Sequence, residues 1–241
     1  SEAYERLDPE RARVVDNELR DFKLSGAELK SPARERFAEI QERLASLQQR
    51  FSENVLDATN AFELLVDDSP AGKARLDGIP DDAVAAARAD AERKGKAGYR
   101  FTLQFPSYFP VIQYAKDRSL REALYRAYVT RAAGGDAEAA SRDNTPLMRE
   151  ILALRQEKSV LLGYRSYADV SLVPKMAESP AAVEAFLTDL ANRARPFAER
   201  DLAEVRQFAR ESLGLETLEA WDVPYASEAL KQARYAFSDN E

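Results

Sequence analysis

The strongest constraint on this chain is a single long periodic run. From Ser31 to Asn60, Phe37, Ile40, Leu44, Leu47 and Phe51 recur at three-four spacing, and Val55, Ala58 and Phe62 carry the stripe on after a shift of one residue. Ser31 offers a cap and Pro32 suits a first helical position, so the pattern predicts a helix from Pro32 to Asn60. At ~1.5 Å per residue such a helix is about 43 Å long, more than most compact domains use. A rod of that length spans an assembly of helices.

Most of the remaining chain carries the same periodicity. Residues 9–24 predict a helix with Val14, Val15, Leu19 and Phe22 on its apolar side, closed by Ser25-Gly26. Pro80-Asp81-Asp82 opens an Ala-rich helix that ends near Gly95. From Asp117, Leu120, Leu124 and Tyr128 line a helix that breaks in Ala133-Gly134-Gly135-Asp136. Asn144-Thr145-Pro146 opens another, carrying Leu147, Ile151, Leu154 and Leu161 to Gly163. Ser179-Pro180 begins a helix with Val183, Phe186, Leu187 and Leu190 inward, which Pro196 should kink or divide near Ala194. Leu202, Val205, Phe208 and Leu213 extend the pattern to Gly214. In WDVPYASEALKQARYAFSDNE, Asp222 is placed to cap a last helix, and Tyr225, Ala229, Leu230, Ala233 and Phe237 form a side that needs a partner.

Two stretches change period. Phe62, Leu64 and Val66 alternate with Glu63 and Asp67, and Tyr99, Phe101, Leu103 and Phe105 alternate with Arg100, Thr102 and Gln104. These predict two short strands of undetermined direction with a helix inserted between them. Pro106 and Pro110 should stop the ladder around Ser107-Tyr108-Phe109. The expected fold class is mainly α: multi-helical, with long helices and a small two-stranded β element. Three regions are expected, a long-helix region over 1–62, the β element with its inserted helix over 62–116, and a helical region over 117–241.

Composition removes whole classes of chemistry. The 241 residues contain no His and no Cys. That excludes disulfides, a His-Glu-x-x-His zinc helix, and Ser-His or Cys-His nucleophile systems. Acidic residues outnumber basic ones, 42 to 35, so a general nucleic-acid or anionic-membrane surface is not expected. No apolar run approaches the ~20 residues that cross a bilayer, and the charged first thirty residues do not read as a signal peptide. A cytoplasmic location follows as the simplest expectation.

The remaining chemical candidates have plain structural explanations. Asp67-Asp68 and Asp81-Asp82 sit at a strand end and a helix start, where solvated acids belong, and the group Asp189, Glu199 and Asp201 shows no partner chemistry. Tyr125, Tyr128, Tyr164 and Tyr167 have helical spacing and read as packing residues. TLQFPSYFPVIQYA, residues 102–115, is less ordinary. It is either a strand-to-helix corner packed by its own rings or a peptide-binding wall in which Tyr108 and Phe109 make contact.

The stretches RFAEIQERLASLQQRFSENVLDATNAFEL, TLQFPSYFPVIQYAKDRSLREALYRAYVTRA and DNTPLMREILALRQEKSVLLGYRSYADVSLVPKMAESPAAVEAFL, together with the closing WDVPYASEALKQARYAFSD, resemble the thimet oligopeptidase family of zinc metallopeptidases, in its oligopeptidase A branch. The resemblance runs from about Glu18 to Glu241. It implies a longer polypeptide whose helical domains flank a narrow channel admitting short peptides, with zinc on the channel floor activating a water. It also implies that the zinc ligands, the general base and the transition-state donors lie outside these residues. Carried over position by position it assigns no catalytic, cofactor-binding or metal residue here, and no zinc is expected on this chain. The resulting expectation is a scaffold and channel-wall piece, inactive alone, with apolar surface that favours self-association or a swapped terminal helix. The alternative is a noncatalytic helical module that binds a peptide or protein, and a weaker one is an enzyme working with carboxylates alone.

Overall fold

The structure, a computed structural model, describes residues 2–135 and 137–235. Its elements in order are α1 (Glu2–Glu5), α2 (Pro9–Leu24), α3 (Ala33–Ala61), β1 (Leu64–Val66), α4 (Pro70–Ala74), α5 (Asp81–Arg93), β2 (Tyr99–Phe101), α6 (Phe105–Tyr114), α7 (Arg118–Val129), α8 (Ala137–Ala140), α9 (Thr145–Leu161), α10 (Tyr167–Leu172), α11 (Pro180–Leu213) and α12 (Val223–Tyr235). The fold is mainly α, with one small sheet. Two compact units divide it: Ser1–Ser52 with Asn144–Arg193, and Glu53–Asp143 with Ala194–Glu241. Two of the divisions fall inside the long helices α3 and α11.

The first unit is organised by one helical seam. Ile40, Leu44 and Leu47 of α3 pack against Leu147, Ile151 and Leu154 of α9, with Phe51 and Leu161 at the margins. The three-four spacing read in both segments is what aligns these side chains along facing ridges. Forked ion pairs run along the solvent edge: Arg36 donates to both Glu157 oxygens at 2.6 and 2.8 Å, and Arg43 to both Glu150 oxygens at 2.5 and 2.9 Å. Ser31 does not cap α3 as expected; its hydroxyl donates to the Glu35 carboxylate at 2.8 Å.

Two apolar stripes are exposed in this unit, and the one on α11 was expected to face inward. Val14, Leu19 and Phe22 of α2 are on the surface, as are Phe186, Leu187 and Leu190 of α11. Periodicity reports that a stripe exists and leaves open whether anything covers it. Pro196 does not divide α11, which runs unbroken over 34 residues; a proline removes one backbone bond, and the turns on either side continue the ladder.

The second unit encloses its core. β1 and β2 pair antiparallel, Leu64 opposite Phe101, Leu65 opposite Arg100 and Val66 opposite Tyr99. Val66, Tyr99 and Phe101 join Leu103, Tyr108, Val111, Ile112, Leu120 and Leu124 in one buried cluster against α5, α6 and α7. Gly98 enters β2 at φ +90°, where a Cβ would lie 2.2 Å from the Val66 carbonyl oxygen, so no other residue fits without moving the strand. β2 is shorter than its alternation suggested. It stops at Phe101, and Phe105, expected on the strand, begins α6 instead.

Candidate functional site

The helix α6 holds both candidate peptide-contact residues, and its geometry separates them. FPSYFPVIQY is helical throughout: Pro106 occupies the first turn, where its missing N–H is not needed, and Pro110 is carried inside the helix. With β2 ending at Phe101 and α6 beginning at Phe105, this stretch is where the chain turns from strand to helix. Successive helical residues project about 100° apart, so Tyr108 and Phe109 face different ways. Tyr108 is buried and stacks on Tyr128 with ring centroids 4.2 Å apart. Burial, with the neighbouring Tyr128 and Tyr125, pushes its phenol up to about 12. Phe109 is 39% exposed and stacks on Phe105, itself 61% exposed, at 4.8 Å. The rings facing outward are thus Phe105 and Phe109.

The same unit holds a polar anchor that the sequence did not announce. Asp222, expected as a helix cap, is fully buried, and its carboxylate is taken by other groups. Arg118 donates to it through Nη2 at 2.7 Å and Nε at 3.0 Å, Arg121 through Nη2 at 2.7 Å, and the Glu219 amide at 3.1 Å. Burial works to raise the Asp222 carboxyl, but the Arg118 and Arg121 hydrogen bonds outweigh it and hold the group below the ordinary carboxylate value. Arg121 is also buried, donates to the Ala115 carbonyl at 2.6 Å, and lies over the Tyr225 ring at 4.2 Å. A second buried link joins Gln113 Nε2 of α6 to Glu228 of α12 at 3.1 Å. Together these fix α12 on α6 and α7, so the last helix docks within its own unit, with Tyr225 against Arg121 and Ala226 buried. Phe237 lies outside the described residues. The signal that could have found the anchor was the Arg118, Arg121 spacing, which places two guanidinium groups on one face of α7.

Two hollows open on the same unit. One, of about 370 Å³, is lined by small residues with Arg131 and Arg142 at its edge; Arg131 lies over the Tyr128 ring and donates to Thr59 Oγ1 at 3.0 Å. The other, of about 470 Å³, has Asp90, Arg93, Lys94 and Arg100 in its wall. Here Arg100 pairs with Asp90 and with Glu63, and Glu63 also receives Lys96. Asp90 is held below its ordinary value because Arg100 and Arg93 outweigh its burial. A carboxylate committed to a guanidinium is a poor proton acceptor, so this wall is not built for general base catalysis.

Other acidic candidates are equally engaged. Asp67 accepts from the Ser69 amide at 2.9 Å, Asp68 pairs with Arg88 at 3.3 Å, and Asp189 with Arg193. Zinc, the metal implied by the resemblance, takes imidazole, thiolate and carboxylate donors converging on one point. The chain has no His and no Cys, and among the described residues no three acidic side chains converge as a metal site requires. Zinc does not fit these residues. No helix among the described residues is long and apolar enough to cross a membrane.

The family described as Peptidase family M3 matches residues 111–241. Oligopeptidase A of Salmonella typhimurium is 48% identical over 238 residues, covering 99% of this chain and 34% of its own length. Oligopeptidase A of Haemophilus influenzae is 45% identical over 229 residues, 95% of this chain and 33% of its own, and the Probable cytosolic oligopeptidase A of Arabidopsis thaliana is 38% identical over 244 residues, 98% and 33%. The chain spans about a third of the length of the curated relatives it matches. With more than half of its residues inside the family match and its whole length similar to oligopeptidases A, the chain belongs to peptidase family M3.

Proposed function

We propose that these residues form a scaffold and channel-wall segment of a cytoplasmic, zinc-dependent oligopeptidase that hydrolyses short peptides, and that they are inactive by themselves. One observation carries the proposal: similarity extends over 99% of this chain to proteins about three times as long, while the chain holds no imidazole or thiol with which to bind zinc. Residues outside the 241 then supply the metal ligands and the general base. The contribution of this segment is shape, with the enclosed core of the second unit holding α6 and α12 as a rigid wall. The test is an assay of the purified 241-residue chain on a quenched fluorescent peptide with added zinc. Absence of turnover is expected; sustained hydrolysis abolished by a chelator would overturn the proposal.

The exposed stacked pair Phe105 and Phe109 favours a second reading, in which the chain binds a peptide without cutting it. Calorimetry with short apolar peptides distinguishes it. Binding lost on Phe109→Ala, with the helical signal intact, supports the module; no heat with the unaltered chain removes it.

A further inference from the structure

The first unit carries a groove that its own residues leave open. It lies between α3 and α9, has a volume of about 450 Å³, and is lined by Gln48, Phe51, Met148, Ile151, Leu152 and Arg155 among others. The walls are apolar, and Leu152 and Met148 are 65% and 46% exposed. Arg155 is the only formal charge in the lining, and its position is unusual. Its Nε is buried without a hydrogen-bond partner, and among the described residues the guanidinium has no carboxylate; it rests over the Tyr167 ring at 4.9 Å. The next basic residue on the helix, Lys158, donates to the neutral Gln41 amide oxygen at 2.8 Å, has no carboxylate partner among the described residues, and lies over the Phe37 ring. In a chain with 42 acidic residues against 35 basic ones, Arg155 thus lines an apolar groove with a guanidinium that no carboxylate among the described residues meets.

We propose that this groove is a docking surface for an apolar segment of the same polypeptide in its oligopeptidase-length form, a segment outside these 241 residues that brings a carboxylate to Arg155. The proposal rests on the scaffold reading given above. The relatives place roughly two thirds of their length beyond the region that matches this chain, so such a polypeptide has covering segments to supply. Charge argues against a second copy. A two-fold contact through the groove would bring the same patch against itself, setting Arg155 near its symmetry mate with no acid in the lining to separate them. A segment with its own carboxylate removes the desolvation problem and covers Leu152 and Met148 together.

The test uses the absence of cysteine from this chain. Leu152→Cys is introduced into the 241-residue chain and into the same chain grafted in place of the matching third of Salmonella typhimurium oligopeptidase A, and maleimide labelling at residue 152 is followed by peptide mapping. Labelling at least about tenfold slower in the graft is expected, with an exposed control, Glu28→Cys, labelled alike in both. Equal rates at residue 152 would overturn the proposal. Arg155→Met in the graft should restore fast labelling at 152, since it removes the charge the covering segment pairs with. Leu152→Glu in the isolated chain should leave its melting temperature unchanged and its size by gel filtration unchanged; a lower melting temperature means the groove serves the unit's own packing, and conversion of a dimer to a monomer means a second copy occupies it, either of which sinks the idea. Peptide hydrolysis by the graft is a separate readout. An inactive graft that protects residue 152 would count against the scaffold reading and leave the docking surface standing, while an active graft with residue 152 unprotected would do the reverse.

Discussion

The two units keep their charges in different places. In the second unit the ion pairs that matter are inside: Arg121 and Asp222 have side-chain exposures of 1% and 0%, and Arg100 is 11% exposed where it meets Glu63 and Asp90. In the first unit the cross-helix pairs Arg36 with Glu157 and Arg43 with Glu150 are each about half exposed. Their apolar surfaces differ in the same sense. The second unit wraps a sheet, α5, α6 and α7 around one core, whereas the first has a two-helix seam and leaves the stripes of α2 and of the first half of α11 in solvent. Buried ion pairs hold where the surrounding packing excludes water on all sides, and exposed pairs contribute little. The second unit therefore has the means to be stable by its own contacts, and the first depends more on a seam and on whatever covers its faces.

The largest expected effect is at the buried anchor. Asp222→Ala leaves Arg121 charged and unpaired in the core and should cost about 3–5 kcal/mol, measured as the urea midpoint of Trp221 fluorescence. Trp221 is the sole tryptophan and lies in the second unit, against Tyr125 and beneath Arg126, so the signal is local. A loss smaller than about 1 kcal/mol would erase the contrast between the units. Next comes the seam. Ile40→Ala, at a position with no solvent exposure, should destabilise the first unit by about 2–5 kcal/mol, seen by far-ultraviolet circular dichroism at lower urea than the Trp221 transition. Coincidence of the two transitions in the variant would show that the units unfold as one.

Acid should separate the units by a smaller margin. Because the folded Asp222 carboxyl lies below its ordinary value of 3.8, its contribution is complete above that value and is lost as the pH falls through the lowered folded value. The Trp221 midpoint of the unaltered chain should drop on acidification below about pH 4, while that of Asp222→Asn, already weakened, should respond less. Parallel curves would mean that other carboxylates dominate. The smallest effect belongs to the open face. Leu187→Ser should change the melting temperature of the isolated chain by an amount equivalent to less than about 0.5 kcal/mol, since Leu187 is 55% exposed and has little to lose. A large drop would show that the face is covered after all.

Much of the helical framework was legible. Pro9–Leu24, Asp81–Arg93 and Thr145–Leu161 start and stop near the residues whose capping and glycine signals announced them, because those signals act within one turn. The three-four stripe of Ile40, Leu44 and Leu47 is covered by α9. Phe186, Leu187 and Leu190, expected inward on equally regular spacing, are exposed. Phe105 fell on a helix where alternation had put it on a strand, since proline in a first turn is as compatible with helix as with a ladder's end. α4 and α10 were missed because each is too short to show a period. At the candidate site, Phe109 has an accessible ring and Tyr108 lies inside, while Asp222, whose position reads as a helix cap in the sequence, is a buried anchor.

What this sequence determined by itself was local and chemical: long helices, one brief interruption by strands, and no imidazole or thiol anywhere with which to hold zinc. What only the tertiary structure decided was which apolar stripes are covered and which charges are buried. Side-chain period is set by neighbours three and four residues away, but burial is set by segments a hundred residues apart, as when Asp222 meets Arg121 or Ile40 meets Ile151. Water is excluded by the assembled neighbours, and no single stretch of chain carries that information.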